Sequence, residues 1–300
     1  MSALTEIPAH FPTEFGTNWD HLCQQKDARL AGMVTMHKVN GKESSFNQMD
    51  SVEMARVTTR SGETRYTDIN LAKRWLRPLP YDLATLLDEW DGEYLGQIAL
   101  PQSDIVTSHG AAYSRACDDV LIAAATGSAY TGDTGTTATV LPSGQKVAVD
   151  YVESGATANS GLTVAKLRAA AYLFDANDVD PDEPKFLAVS AKQIQDLLKT
   201  TEVTSADYNT VKALVAGQID TFMGFKFIRS QRLALDSGTG IRTCFAWVKS
   251  GIKFSTAGRS TKVDLLPTRS HSLQIRTVAS LGATRTEEEK VVQISADEVL

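Results

Sequence analysis

The stretch PQSDIVTSHGAAYSRACDDVLIAAATG, residues 101–127, decides how the rest of the chain is read. Within it Ile105, Ala112, Ala116, Val120 and Ala123 recur at spacings of three, four and seven, the period of one helix face. Tyr113, Cys117, Leu121 and Ala124 broaden that stripe. Ser103 is placed to cap the start and Gly127 to stop the end. The spacing predicts a helix over Gln102–Thr126, about 35 Å long at a rise of roughly 1.5 Å per residue. Its small residues permit close packing against a sheet.

Outward from this helix the pattern changes. Upstream, residues 52–59 and 64–69 are rich in β-branched side chains, with Ser61-Gly62-Glu63 as a turn, and read as a long hairpin. It is polar on both faces (Glu53, Arg56, Thr58, Arg60, Arg65, Thr67, Asp68) and has little of its own to bury. An isolated two-stranded ribbon is marginal in water, so it needs another surface, on its own chain or a neighbour's. Residues 73–81 are extended, because Pro78 and Pro80 forbid helix there. Asp82 is read as the cap of a helix over 83–91, with Leu83, Leu86, Leu87 and Trp90 apolar. Before residue 45 periodicity is weak, apart from a short helix expected over 19–30.

Downstream, residues 127–161 form a loop region with a hairpin expected from 138–141 and 146–152. Its run Thr131-Gly132-Asp133-Thr134-Gly135-Thr136-Thr137 lacks the order and lysine of a phosphate cradle and reads as a turn-forming loop. Helices are expected over 162–174, from Ser190 through 198, and over 208–215. Strands are expected at 186–189, 226–229, 245–248, 273–279 and 291–294, with Glu287-Glu288-Glu289 as a solvated turn. Helices and antiparallel hairpins without βαβ repetition indicate the α+β class.

Bulk composition narrows the function. Hydrophobic residues are 42% of the 300, and 20 glycines join them, so the chain can bury a sizeable core. One elaborate domain or two are both open at this length. The net charge is −6, from 30 basic and 36 acidic residues, with no Lys/Arg run of five; tight direct nucleic-acid binding is disfavoured. Cys23, Cys117 and Cys244 are odd in number and far apart, which disfavours a disulfide framework or structural zinc. No secretory leader and no membrane span are expected. The default compartment is a reducing cytoplasm, such as a host cell's.

The motifs of catalysis are missing. There is no GxSxG, no HExxH and no GxGxxG after a strand. Of the histidines, His10, His21 and His37 lie in the N-terminal stretch, His271 lies near the end, and His109 on the helix reads as a satisfied core or interface residue. Asp118-Asp119 and Asp88-Glu89 are adjacent helix residues pointing about 100° apart, so neither pair converges on one atom. No catalytic, cofactor-binding or metal-ligating residue is assigned, and no cofactor is expected.

Two stretches together resemble the major capsid proteins of tailed bacteriophages. Ile219-Asp220-Thr221-Phe222-Met223-Gly224-Phe225-Lys226-Phe227-Ile228-Arg229-Ser230 runs through a glycine turn into Ala246-Trp247-Val248-Lys249-Ser250-Gly251-Ile252. This is similar to the late axial-domain region of that family. The stretch from Ser280-Leu281-Gly282-Ala283-Thr284-Arg285 to Ile294 is similar to its closing hairpin, and Arg74–Tyr81 is also phage-like. The resemblance covers about residues 70–300; the first 45 match only in general character.

The resemblance implies the Hong Kong 97-type fold. An N-terminal arm would cover residues 1–44 and an extended loop 45–78. A peripheral domain would take 79–180 and 262–300, with a spine helix at 102–126, and an axial domain 181–261. It also implies a virion protein, assembled in the host cytoplasm into homo-pentamers and homo-hexamers that enclose double-stranded DNA without sequence readout. A separate scaffold, portal and decoration proteins would be partners, with no membrane. The same fold builds encapsulin-like nanocompartments, the alternative reading. A tail or decoration protein, or an unassigned soluble enzyme, ranks below both. A subunit with projecting arm and loop should expose more than the about 12,400 Å² of a compact monomer of this mass.

Overall fold

The computed structural model describes residues 22–49, 51–60, 62–64, 66–87, 102–199 and 221–299. Its strands are β1 (Thr35–Met36), β2 (Ser44–Met49), β3 (Leu71–Leu76) and β4 (Leu79–Leu87), followed by the long helix α1 (Gln102–Thr126). Next come β5 (Ala129–Thr131), β6 (Thr137–Thr139), β7 (Lys146–Val147), α2 (Val164–Ala176), β8 (Lys185–Val189) and α3 (Ala191–Lys199). The chain closes with β9 (Thr221–Phe222), β10 (Phe225–Arg229), β11 (Ile241–Val248), β12 (Ile252–Leu266), β13 (Ser272–Arg285) and β14 (Val291–Asp297).

Three sheets organise these elements. One has the order β1-β12-β13-β4, and α1 packs chiefly on β13. The second, β7-β14-β11-β8-β10-β9, carries α2 against β14. The third, β2-β3-β5-β6, joins the hairpin root to the end of α1. A continuous apolar core links the first two layers. Trp247 and Phe245 on β11 and Phe186 on β8 stack with centroids 4.9 and 5.6 Å apart, and Leu121, Ile122 and Ala125 supply the helix face.

The helix forms over Gln102–Thr126 as its spacing predicts, and Gly127 ends it by donating its N–H to the Ala123 carbonyl at 2.9 Å. Ser103 lies inside the first turn and not at the cap. The buried face is rotated from the expected stripe. Ala111, Cys117, Asp118, Leu121 and Ala125 are buried, whereas Ala112, Ala116 and Val120 are half-buried and Ala123 is exposed. The strands at 186–189, 226–229, 245–248, 273–279 and 291–294 lie within β8, β10, β11, β13 and β14, and α2 and α3 match their expected helices within two residues.

Four expectations are corrected. Residues 83–87 are strand, not helix: β4 pairs residue for residue with β13, from Leu87↔Leu273 to Leu79↔Leu281, and Asp82 takes Arg276 at 3.0 Å in place of a cap. A short apolar run fits helix or strand equally, and here the open flank of β13 decided it. The remainder of that expected helix, 88–91, and the one at 208–215 fall outside the described residues. The hairpin ladder runs Ser44↔Leu76 to Met49↔Leu71, nearer the body than expected, and residues 51–58 and 66–70 carry no ladder. The second hairpin is β5–β6, while β7 pairs in parallel with β14. Residues 22–30 are not helical; the Asp118 carboxylate takes the backbone N–H of Arg29 and Leu30 at 3.0 and 3.1 Å and fixes an irregular path.

Thr163 caps α2, and Lys166 in its first turn points inward. The Lys166 ammonium donates to the carbonyls of Ser160, Gly161 and Ser295 at 2.7, 2.9 and 3.0 Å, tying α2 and its preceding loop to β14. Burial lowers its pKa from 10.5 to about 8. Between those values the unfolded chain binds more protons than the folded one, so this group makes stability rise with pH. Urea unfolding across that window is expected to show the rise in the parent chain and its loss in Lys166→Met.

Candidate functional site

The surface of interest is built at the root of the hairpin. On β3, Arg74 faces inward, and its guanidinium donates Nη1 and Nη2 to Oε1 and Oε2 of Glu288, both at 2.8 Å. The two side chains are 5% and 12% exposed. Such a fork-to-fork pair fixes orientation as well as distance. Arg285 on β13 lies beside it, fully buried, 3.9 Å from Glu288. Its Nη1 donates to the carbonyls of Ala124, Ala125 and Gly127, and its Nη2 to Thr139 at 3.2 Å. The last carbonyls of a helix have no intrahelical donors and carry partial negative charge; a buried guanidinium satisfies both needs. One cluster thus joins the hairpin, the end of α1, β6 and the turn before β14.

A second layer of contacts braces the same root. Trp75 donates its indole N–H to the Gly132 carbonyl at 2.6 Å, and Arg77 donates to Glu43 at 2.7 Å and stacks over Tyr130 at 5.3 Å. Gly135, at φ +64°, leaves room for the Trp75 ring, which a Cβ there would meet at 2.6 Å. The Thr/Gly run 131–137 is therefore the turn of β5–β6, folded over the hairpin root. Lys253 sits 3.8 Å over the Phe46 ring on the other side. Beyond this root the side chains have no cover from the described residues: Met49, Val52, Met54, Val57, Tyr66 and Leu71 are all exposed, Met54 and Tyr66 almost completely. The chain exposes 19167 Å², well above the about 12,400 Å² of a compact monomer.

The residues singled out in the sequence fall as follows. His109 is buried between Thr85 (2.9 Å) and Thr277 (3.2 Å), a satisfied histidine that pins α1 to β4 and β13; burial lowers its pKa. Asp118 and Asp119 diverge: the first holds residues 25–30, the second pairs with Arg232. Cys244 is enclosed and its thiol is pushed up to about 12 by burial. The Glu287–Glu289 run is not simply a solvated turn, since Glu288 is the buried acceptor of the root. Sequence reading missed Arg74, Arg285 and Glu288. The one local signal was the Arg-x-x-Glu spacing of 285 and 288; nothing local pairs residue 74 with residue 288.

Removing one partner of a buried ion pair leaves an uncompensated charge. Arg74→Met is expected to lower the unfolding free energy by about 3 kcal/mol. Lys73→Met, whose exposed partner is Asp133, should cost no more than about 0.5 kcal/mol. Urea titration of the two variants checks the contrast.

Comparison with known proteins places this architecture. A family model described as phage capsid protein matches residues 7–298. The capsid of cyanophage Pam1 superposes with a TM-score of 0.74 at 12% identity, covering 99% of each chain. That of Helicobacter pylori bacteriophage KHP30 gives 0.74 at 10% identity, again over 99% of each. Cyanophage P-SCSP1u gives 0.73 at 15%, over 97% of this chain and 94% of its own. No curated protein sequence matches significantly. The fold is of the Hong Kong 97 type, and by the family match over nearly its whole length this chain belongs to the phage capsid proteins.

Proposed function

We propose that the chain is the repeating subunit of an icosahedral head shell, closing as homo-pentamers and homo-hexamers around packaged double-stranded DNA. The observation that carries this is the rigid root with a bare tip. A buried bidentate ion pair fixes the root of a hairpin whose outer residues, Met54, Val57 and Tyr66, find nothing to bury against among the described residues. Exposed apolar side chains beyond a fixed root fit an interface that a neighbouring copy completes.

In this reading residues 1–44 form the N-terminal arm and 45–78 the extended loop. Residues 79–180 and 262–300 form the peripheral domain around α1, and 181–261 the axial domain. β14 lends its strand to the six-stranded sheet, so the last segment stitches the two domains together. Many modest contacts, repeated by symmetry, give a shell stability that no single contact has. The acidic balance, net −6, suits a wall that contains DNA without gripping it. Host-cytoplasmic assembly, and separate scaffold, portal and decoration partners, belong to the same reading.

Negative-stain microscopy of the overexpressed chain, with size-exclusion chromatography, tests this. Closed shells tens of nanometres wide, or capsomer rings, are the expected result. A homogeneous monomer, with or without a co-expressed scaffold, overturns it.

A further inference from the structure

Between the hairpin root and the body lies a cleft of about 340 Å³. β2 forms one wall with Phe46 and Gln48; Lys253 at the start of β12 and Lys290 in the turn before β14 form the other. Its charges do not balance. Arg74, Lys253 and Lys290 line it against one lining carboxylate, Glu287, which pairs with Lys290 at 3.2 Å. Next to the lining, Glu288 is shared by Arg74 and Arg285, and Glu183 accepts from Ser250 at 2.7 Å. Four cations therefore face three carboxylates across this cluster. It is short of acceptors too: the buried Nε of Arg74 and of Arg285 has no partner among the described residues. Lys253 is the least compensated. Among the described residues it makes no ion pair, and its ammonium lies 3.8 Å from the centre of the Phe46 ring. Burial, and then the nearby Lys290, lower its pKa.

We propose that this cleft is a binding site for a free oxyanion of the phosphate class, held by the ammonium groups of Lys253 and Lys290 with the Gln48 amide beside them. Each ammonium brings three donors, and Gln48 spends one amide N–H on the Thr286 carbonyl and keeps a second. Donors arriving from three separate elements suit a ligand with several acceptor oxygens, and charge-assisted bonds of this kind are the strong ones. The anion is free and not part of a nucleic acid. A DNA backbone repeats its charge along its length and needs cations spaced along a track; here two lysines face one enclosed cleft. The bound anion ties β2 to β12 and to the turn before β14. It adds to the Arg74–Glu288 pair a second brace on the hairpin root, one that depends on occupancy. This site stands apart from the reading of the chain as a shell subunit.

Calorimetric titration of inorganic phosphate into the full-length, unassembled chain tests it, at an ionic strength held constant with chloride. Saturable binding of one phosphate per chain is expected. Lys253→Met and Lys290→Met should each weaken it by about tenfold or more, the loss of one charge-assisted bond. Lys253→Arg, which keeps the charge, should retain binding, and Lys73→Met, at an exposed pair outside the cleft, should leave it unchanged. Absence of saturable binding overturns the proposal, and is the result if the chain's own carboxylates already fill the cleft. Equal affinity in the parent, Lys253→Met and Lys290→Met also overturns it, because the anion then sits elsewhere. A short DNA duplex that displaces phosphate at equal phosphate concentration overturns the assignment of a free anion. None of these outcomes bears on whether the chain forms shells.

Discussion

The buried cluster of Arg74, Arg285 and Glu288 is the constraint on which the other features depend. Two guanidinium groups and one carboxylate leave a net positive charge in the interior. Arg285 offsets part of that cost by donating its Nη groups to carbonyls at the end of α1 and on β6, although the buried Nε of Arg285 and of Arg74 has no partner among the described residues. Desolvating such a cluster is costly, and a well-packed apolar substitute would hold the body together as well. What an apolar substitute would lack is direction. A bidentate pair at 2.8 Å sets the angle at which β3 leaves the body, and so the side of the body from which the outer hairpin departs.

The rest of the subunit reads as support for that geometry. The long helix, held on β13 by small residues and on β4 by His109, is the stiff element against which the root is braced. Asp118, buried at its middle, fixes residues 25–30 along the helix so that the N-terminal segment leaves in a set direction. The six-stranded sheet with its aromatic centre at Trp247 supplies the apolar burial that keeps the subunit folded while so much other surface stays bare. Gly282 permits the close approach of β13 to the bend at Pro78, where a Cβ would stand 2.8 Å from the Pro78 Cα.

Much of this was legible in the sequence, and unevenly. The helix over 102–126 and the strands β8, β10, β11, β13 and β14 were readable because their signals are local: a 3.6 period, β-branched runs, Gly and Asp at turns. The later part of β4, residues 83–87, was not, because LATLL suits helix as well as strand and only β13, about two hundred residues later, resolves the choice. The hairpin was readable as under-buried, but its ladder was placed too far out, since composition marks strand propensity and not the presence of a partner. The ion-pair root was invisible for the same reason: Glu288 sits in an acidic run that looks solvated until the fold sets Arg74 against it.

The central claim is that the outer hairpin serves assembly and contributes nothing to the subunit's own fold. Replacing residues 51–69 by an Asn-Gly turn, which keeps β2 and β3 and their root contacts, tests this directly. The account predicts a subunit with an unchanged urea unfolding midpoint that forms no closed shells. Shells of normal size from the shortened chain, or a subunit markedly less stable than the parent, would contradict it.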